Sequence, residues 1–181
     1  MLRTIFKKKV NEDKLANVLI NSLLQAMEVG FPDISELINQ DKDFVIKPNI
    51  APTDYDRFLL ILFVGNIKIM EKRLDGDQAD RLKQLLIEKF SAIYDLKINE
   101  TKKHIKDYTT FMSRINYPSK NVLYAMSKSV FFKYNLASYQ EEYFRDLNTP
   151  NPQFLKRLNN LVENFIWDWD HFLSKYNFVN H

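Results

Sequence analysis

Hydrophobic residues recur at helical spacing along nearly the whole chain, and one stretch departs from that rhythm by being apolar on every side. In residues 53–74, TDYDRFLLILFVGNIKIMEKRL, the block 58–64 has no polar position. A helix apolar around its whole circumference has to be covered on all sides, so this stretch predicts the central helix of the fold. Thr53 followed by Asp56 has the form of a capping box with Asp in place of the usual Glu. A rival reading makes 58–64 and 67–70 the arms of a hairpin turning at Gly65 and Asn66. The helix is favoured because an isolated hairpin is marginal in water and residues 71–74 continue in helix formers. Gly65 inside a helix costs about 1 kcal/mol relative to Ala, which a neighbour packed close to its backbone would explain. The unbroken apolar block is seven residues long, against the roughly twenty needed to span a bilayer, so no membrane span is expected.

The flanking pattern supplies amphipathic helices to cover that centre. Residues 1–10, with Lys7, Lys8 and Lys9, read as a short basic arm, and residues 11–181 as one helical domain. Asn11 is placed to cap a helix carrying Leu15, Val18, Leu19, Leu23, Leu24 and Met27 and ending before Gly30. Asp33 then caps a short second helix through Ile38. Residues 39–52, with Pro48 and Pro52, read as a surface loop pinned by some of Phe44, Val45, Ile46 and Ile50. Further helices are expected from Asp77 to about residue 96, from 99 to 115, and from 120 to 135 after a Ser119 cap. A short one follows within 137–147. Asn151 and Pro152 form the strongest start signal in the chain, opening a last helix that runs to about residue 176. Six or seven helices joined by short loops predict an all-α, single-domain bundle around the 53–74 helix.

Composition narrows the chemistry. None of the 181 residues is cysteine, which excludes disulfides, thiolate metal sites and a Cys nucleophile and fits a cytoplasmic protein. Residues 1–15 contain no apolar run of secretory-signal length. Three glycines leave little material for a phosphate-cradling loop, and no nucleophile, dinucleotide or zinc-hydrolase motif occurs. No catalytic residue, metal site or cofactor is therefore assigned. The expected role is non-catalytic, through contact with a protein partner or as a homodimer.

Three groups of residues are candidates for that role. On an unbroken last helix, Trp167 lies about 180° from Leu158, pointing away from the core among Asn160, Glu163, Asp170 and His171. An aromatic amid polar groups suits a protein interface. The competing explanation is that the N-terminal segment or the 39–52 loop folds over Trp167. The second group comes from the charge distribution: of the 26 basic residues, eight fall in 97–133 against only Glu100 and Asp107. Lys102, Lys103, Lys106 and Arg114 share about 120° of one helix face, which Lys120 and Lys128 extend, giving an alternative reading as an anion- or nucleic-acid-binding surface. The third is a small-molecule site between helices near Gly65 and Asn66. A buried Asn must find a hydrogen bond, and a bond to a neighbouring element would leave a ligand nothing to satisfy.

Overall fold

Hydrophobic stripes this regular predict helices throughout, and the computed structural model, which describes residues 7–179, is built almost entirely of them. Strand β1 (Lys8–Asn11) leads into α1 (Glu12–Gln40). There follow α2 (Asp56–Arg73), α3 (Gly76–Ile93), α4 (Ile98–Asn116), α5 (Val122–Lys133), the one-turn α6 (Glu142–Asp146), α7 (Pro152–Val162), α8 (Trp169–Lys175) and strand β2 (Tyr176–Val179). Short 3-10 turns occupy Leu136–Tyr139 and Glu163–Phe165. The result is an all-α, single-domain bundle.

α2 is its buried axis. Every residue of 61–67 is buried, together with Phe58, Leu59 and Met70, as an all-round apolar helix demands. Phe63 stacks on Phe90 of α3 at 4.5 Å between ring centroids, and Phe58 meets Phe31 of α1 at 5.4 Å. Gly65 is explained by α5, because a Cβ at this position would collide with the side chain of Met126. The expected capping box is not formed. α2 begins at Asp56 behind Tyr55, with no side-chain cap, and Thr53 is exposed in the preceding turn.

The expected break at Gly30 is absent too. Asn11 does cap α1, its Oδ1 accepting from the Lys14 N–H at 2.8 Å. The helix then runs through Gly30 and Pro32, so no separate helix starts at Asp33. Phe31, Ile34 and Ile38 prolong the buried stripe of Leu15, Leu19, Leu23 and Met27 by steps of three and four, and burying three more large side chains outweighs one lost backbone bond. Gly30 does not terminate the helix; it makes room for Phe165, whose Cζ would lie 2.6 Å from an added Cβ.

In the loop after α1, Phe44 is buried and Ile50 half-buried, whereas Val45 and Ile46 point outward. The Asn39 side chain both donates to the Ile50 carbonyl and accepts from its N–H, each at 2.8 Å. Asp41 stands at the C-terminal end of α1, where the helix dipole disfavours a carboxylate, and its side chain is 2 % exposed. Arg157 of α7 offsets both costs. It donates to the two carboxylate oxygens of Asp41 at 2.7 and 2.8 Å and also to Asp43, and these acids raise the guanidinium pKa above its ordinary value.

Smaller corrections concern caps and the 137–147 segment. Asp75, not Asp77, caps α3, and Asn121, not Ser119, caps α5. The expected short helix within 137–147 is split into the 3-10 turn and α6.

The largest correction is at the C-terminal end. The expected helix from 152 to 176 is broken: α7 ends at Val162, a 3-10 turn follows, and α8 starts afresh at Trp169 with Asp168 as its cap. Asn66 of α2 holds the break. Its Nδ2 donates to the carbonyls of Leu62 at 2.9 Å and Phe165 at 3.1 Å, and its Oδ1 accepts from the Trp167 N–H at 2.9 Å. Phe165 itself packs edge-on against Phe58 at 5.1 Å and against Gly30. Beyond α8 the chain turns into β2, which lies parallel to β1 with Lys8 opposite Tyr176 and Asn11 opposite Val179. The basic arm expected over 1–10 is therefore a paired strand from Lys8 onward, and residues 1–6 lie outside the described residues.

Two substitutions test this framework. Arg157→Met leaves the buried Asp41 carboxylate without its counter-ion and is expected to lower unfolding free energy by about 2–3 kcal/mol in denaturant titration. Asn66→Ala deprives the Phe165 carbonyl and the Trp167 N–H of their partner. A loss of about 1–3 kcal/mol is expected, with tryptophan emission shifted to the red as the 163–168 break loosens.

Candidate ligand cleft between the chain ends

The break after α7 places α8 beside the start of α1, and the parallel strand pair ties the two ends together. Between them lies a cleft of about 700 Å³, within the range of small-ligand sites. Val10, Leu15, Val18, Ile166, Trp167 and Phe172 give it an apolar lining. Leu15 and Val10 belong to the core, so that side of the cleft is built on fixed packing. The aromatic wall is continuous. Phe172 stacks on Tyr176 at 4.9 Å with an interplanar angle of 16°, and Trp167 lies 6.0 Å from Phe172 and 6.5 Å from Trp169.

Lys8, Lys9, Lys14 and Lys175 also line the cleft, with His171 and a single acid, Asp168. The Asp168 carboxylate is engaged, accepting from the His171 N–H at 2.9 Å as the α8 cap. Other acids in these segments are held elsewhere. Glu12 pairs with Arg81 at 2.9 Å, Asp13 with Lys89 at 2.6 Å, and Asp170 with Arg73 at 2.9 Å. Among the described residues none of the four lysines has a carboxylate within ion-pair distance. The cleft thus carries excess positive charge over an apolar, aromatic lining.

The residues grouped on the outer face of a straight last helix do not share a face. Trp167 is half-buried in the break and lines the cleft with His171, while Asp170 turns to Arg73. Asn160 sits on α7 and Glu163 in the 3-10 turn, and neither reaches the cleft. Strand β1, part of the N-terminal segment, lines the same cleft as Trp167.

The basic residues of α4, Lys102, Lys103, Lys106 and Arg114, are exposed on one unbroken helix. Lys102 and Lys106 line a groove of about 490 Å³ against α3, shared with Lys83 and Asp80, and Lys83 is already paired with Glu71 at 2.7 Å. Lys103 is exposed as well, and Lys120 is exposed in the loop before α5. Arg114 lies over the Phe111 ring at 5.7 Å and Lys128 over Tyr124 at 5.0 Å. Gly65 is closed off by Met126, and the space beside Asn66, bounded by Trp167 and Trp169, measures about 10 Å³, room for no more than a water-sized group. The hydrogen bonds of Asn66 are made within the protein.

Among the described residues no three His, Asp or Glu side chains gather closely enough to hold a metal ion, and no helix is long and apolar enough to cross a membrane. The sequence singles out Lys8, Lys9, Trp167 and His171 but not the cleft they share, because its lining comes from two segments about 150 residues apart in sequence. Comparison with models of known protein families, with curated proteins and with solved structures finds no match to this chain, so the functional reading rests on the geometry alone.

Proposed function

We propose that this protein is a non-catalytic binding module that takes up an anionic partner with an apolar body in the cleft between its chain ends. The observation that carries this reading is the pairing of an apolar, aromatic lining with four lysines that have no carboxylate within ion-pair distance among the described residues. Magnitudes say which half of such a partner supplies affinity. An exposed lysine contributes at most about 1 kcal/mol to an ion pair, whereas burying about 100 Å² of apolar surface contributes about 2.5 kcal/mol. A bare phosphate or a metal chelate would gain little here, and a neutral hydrocarbon would leave the lysines unsatisfied. The partner is amphipathic, with an acidic group set against Lys14 and Lys175 and an apolar part against Trp167 and Phe172. The cysteine-free composition suits a reducing compartment, and this reading places the protein in the cytoplasm.

The test uses anilinonaphthalenesulfonate, an aromatic anion of the required chemistry. Saturable binding is expected with one site per chain, weakening as salt rises, with quenching of Trp167 emission. Trp167→Phe removes the quenching, and the Lys14→Glu, Lys175→Glu double variant binds roughly tenfold more weakly while keeping its circular dichroism spectrum. Binding that is non-saturable, or unchanged in the double variant, rules the cleft out.

A further inference from the structure

We infer that the exposed face of α4 and the loop after it form a second binding surface, separate from the cleft, that takes up single-stranded nucleic acid. Charge is the first observation. Residues 97–133 hold eight basic residues and two acids, so the rest of the chain, with 18 basic and 21 acidic residues, is net negative. The whole positive balance of the protein therefore sits on α4, α5 and the loop between them. A helix face that only meets water is kept soluble by mixed charges and needs no such imbalance, whereas a surface that holds phosphates does.

Helical geometry turns the excess into a row. Lys102, Lys103, Lys106 and Arg114 fall within about 120° of α4, and all four are exposed. From Lys102 to Arg114 the helix rises about 18 Å, the length of roughly five stacked nucleotides. Two further cations stand beyond the helix end, where the Lys72 ammonium of α2 donates to the Lys120 carbonyl at 3.0 Å. Among the described residues none of these six side chains has a carboxylate within ion-pair distance. Of the two acids in the segment, Glu100 turns back to the start of α4, accepting from the Lys97 N–H at 3.3 Å, and only Asp107 borders the row.

An acidic protein would also satisfy these lysines, and the aromatic at the end of the row favours nucleic acid. Tyr117 follows directly on the turn of Arg114, its N–H donating to the Arg114 carbonyl at 3.4 Å, and it is 83 % exposed. The loop that carries it is pinned. The buried Asn116 donates through Nδ2 to the carbonyls of Ser119 at 3.2 Å and Asn121 at 2.9 Å, and Asn121 in turn caps α5. A phenol ring held outside the core between Arg114 and Lys120 is a platform on which an unpaired base stacks while its phosphates meet the cations. Tyr124 repeats the combination at the start of α5, exposed and with the Lys128 ammonium 5.0 Å from its ring centroid. A duplex hides the faces of its bases, so the strand that uses these rings is single.

The experiment follows the fluorescence anisotropy of short labelled oligo(dT) and oligo(U), with polyglutamate and the matching duplex as competitors. Saturable binding of at least one strand is expected, with log affinity falling against log salt at a slope of about −3 to −4, as for five phosphates. The tighter of the two strands names the preferred sugar. The Lys102→Glu, Lys103→Glu, Lys106→Glu triple variant is expected to bind at least roughly tenfold more weakly and to lose about two units of that slope, with its circular dichroism spectrum kept. Tyr117→Ala removes a ring and no charge, so it is expected to weaken binding roughly tenfold at an unchanged slope, and Tyr117→Phe to restore it. If polyglutamate or the duplex displaces the strand as well as unlabelled strand does, or Tyr117→Ala binds like wild type, single-stranded nucleic acid is overturned as the partner. If neither strand binds, or the triple variant binds as tightly as wild type, the surface itself is overturned.

Discussion

The side chain of Asn66 sits at the centre of this structure, and the shape of the C-terminal third depends on the bonds it makes. It is the one polar side chain among the buried residues of α2. An amide there that found no partner would cost about 1–3 kcal/mol, and the surrounding helices present almost nothing but hydrocarbon. The carbonyl of Phe165 and the N–H of Trp167 supply the missing partners, and both are free to do so only because the last helix stops after Val162. A buried polar group and an interrupted helix thus solve each other's problem. The interruption turns α8 back along the bundle, delivers Phe165 into the notch at Gly30, and brings the chain's end beside its beginning.

That dependence separates what was legible in the sequence from what was not. The bundle, the buried axis and the close approach at Gly65 all follow from local pattern, because an all-round apolar helix and a glycine within it have few explanations. Gly30 and the last helix resisted for one reason. Gly30 has the look of a terminator, yet its reason for being glycine is a phenyl ring from residue 165. The stripe of Leu155, Leu158, Val162, Phe165, Trp169 and Phe172 keeps helical spacing straight through the break. Periodicity records which residues are buried and is blind to a change of direction imposed by a side chain about 100 positions earlier. Trp169, on that stripe, is buried. Trp167, two residues away, was read as exposed because that inference assumed the turn before it was helical.

The same long-range contacts account for the difference between the two basic regions. Counting charges points to α4, where Lys102, Lys103, Lys106 and Arg114 share one exposed arc of a helix unbroken from Ile98 to Asn116. The lysines of the terminal cleft come from two segments, three of them from residues 8–14 and the fourth from Lys175, so no single window contains all four. What brings them together also leaves them without an ion pair among the described residues. The acids of the first turn of α1 point to α3, where Arg81 and Lys89 take them, and Asp170 points to α2. Helix packing has sorted the charges, sending the acids into contacts between helices and the lysines toward the cleft.

A site assembled in this way sits on the molecule's firmest and weakest elements at once. Its lining touches Leu15 and Phe172, members of the core, and so inherits the rigidity of α1 and α8. Its rim includes β1, which is held to the rest of the protein by four residues of parallel pairing and by Val10 alone in the core. Elements with few buried contacts are the ones that open locally, and a partner that binds only the closed arrangement stabilises it in proportion to its own concentration over its dissociation constant. The core needs no such help, since α2 is covered on every side without it. An occupant of the proposed kind would favour the arrangement in which β1 and β2 are paired, so part of its binding energy would go into holding residues 8–11 against 176–179.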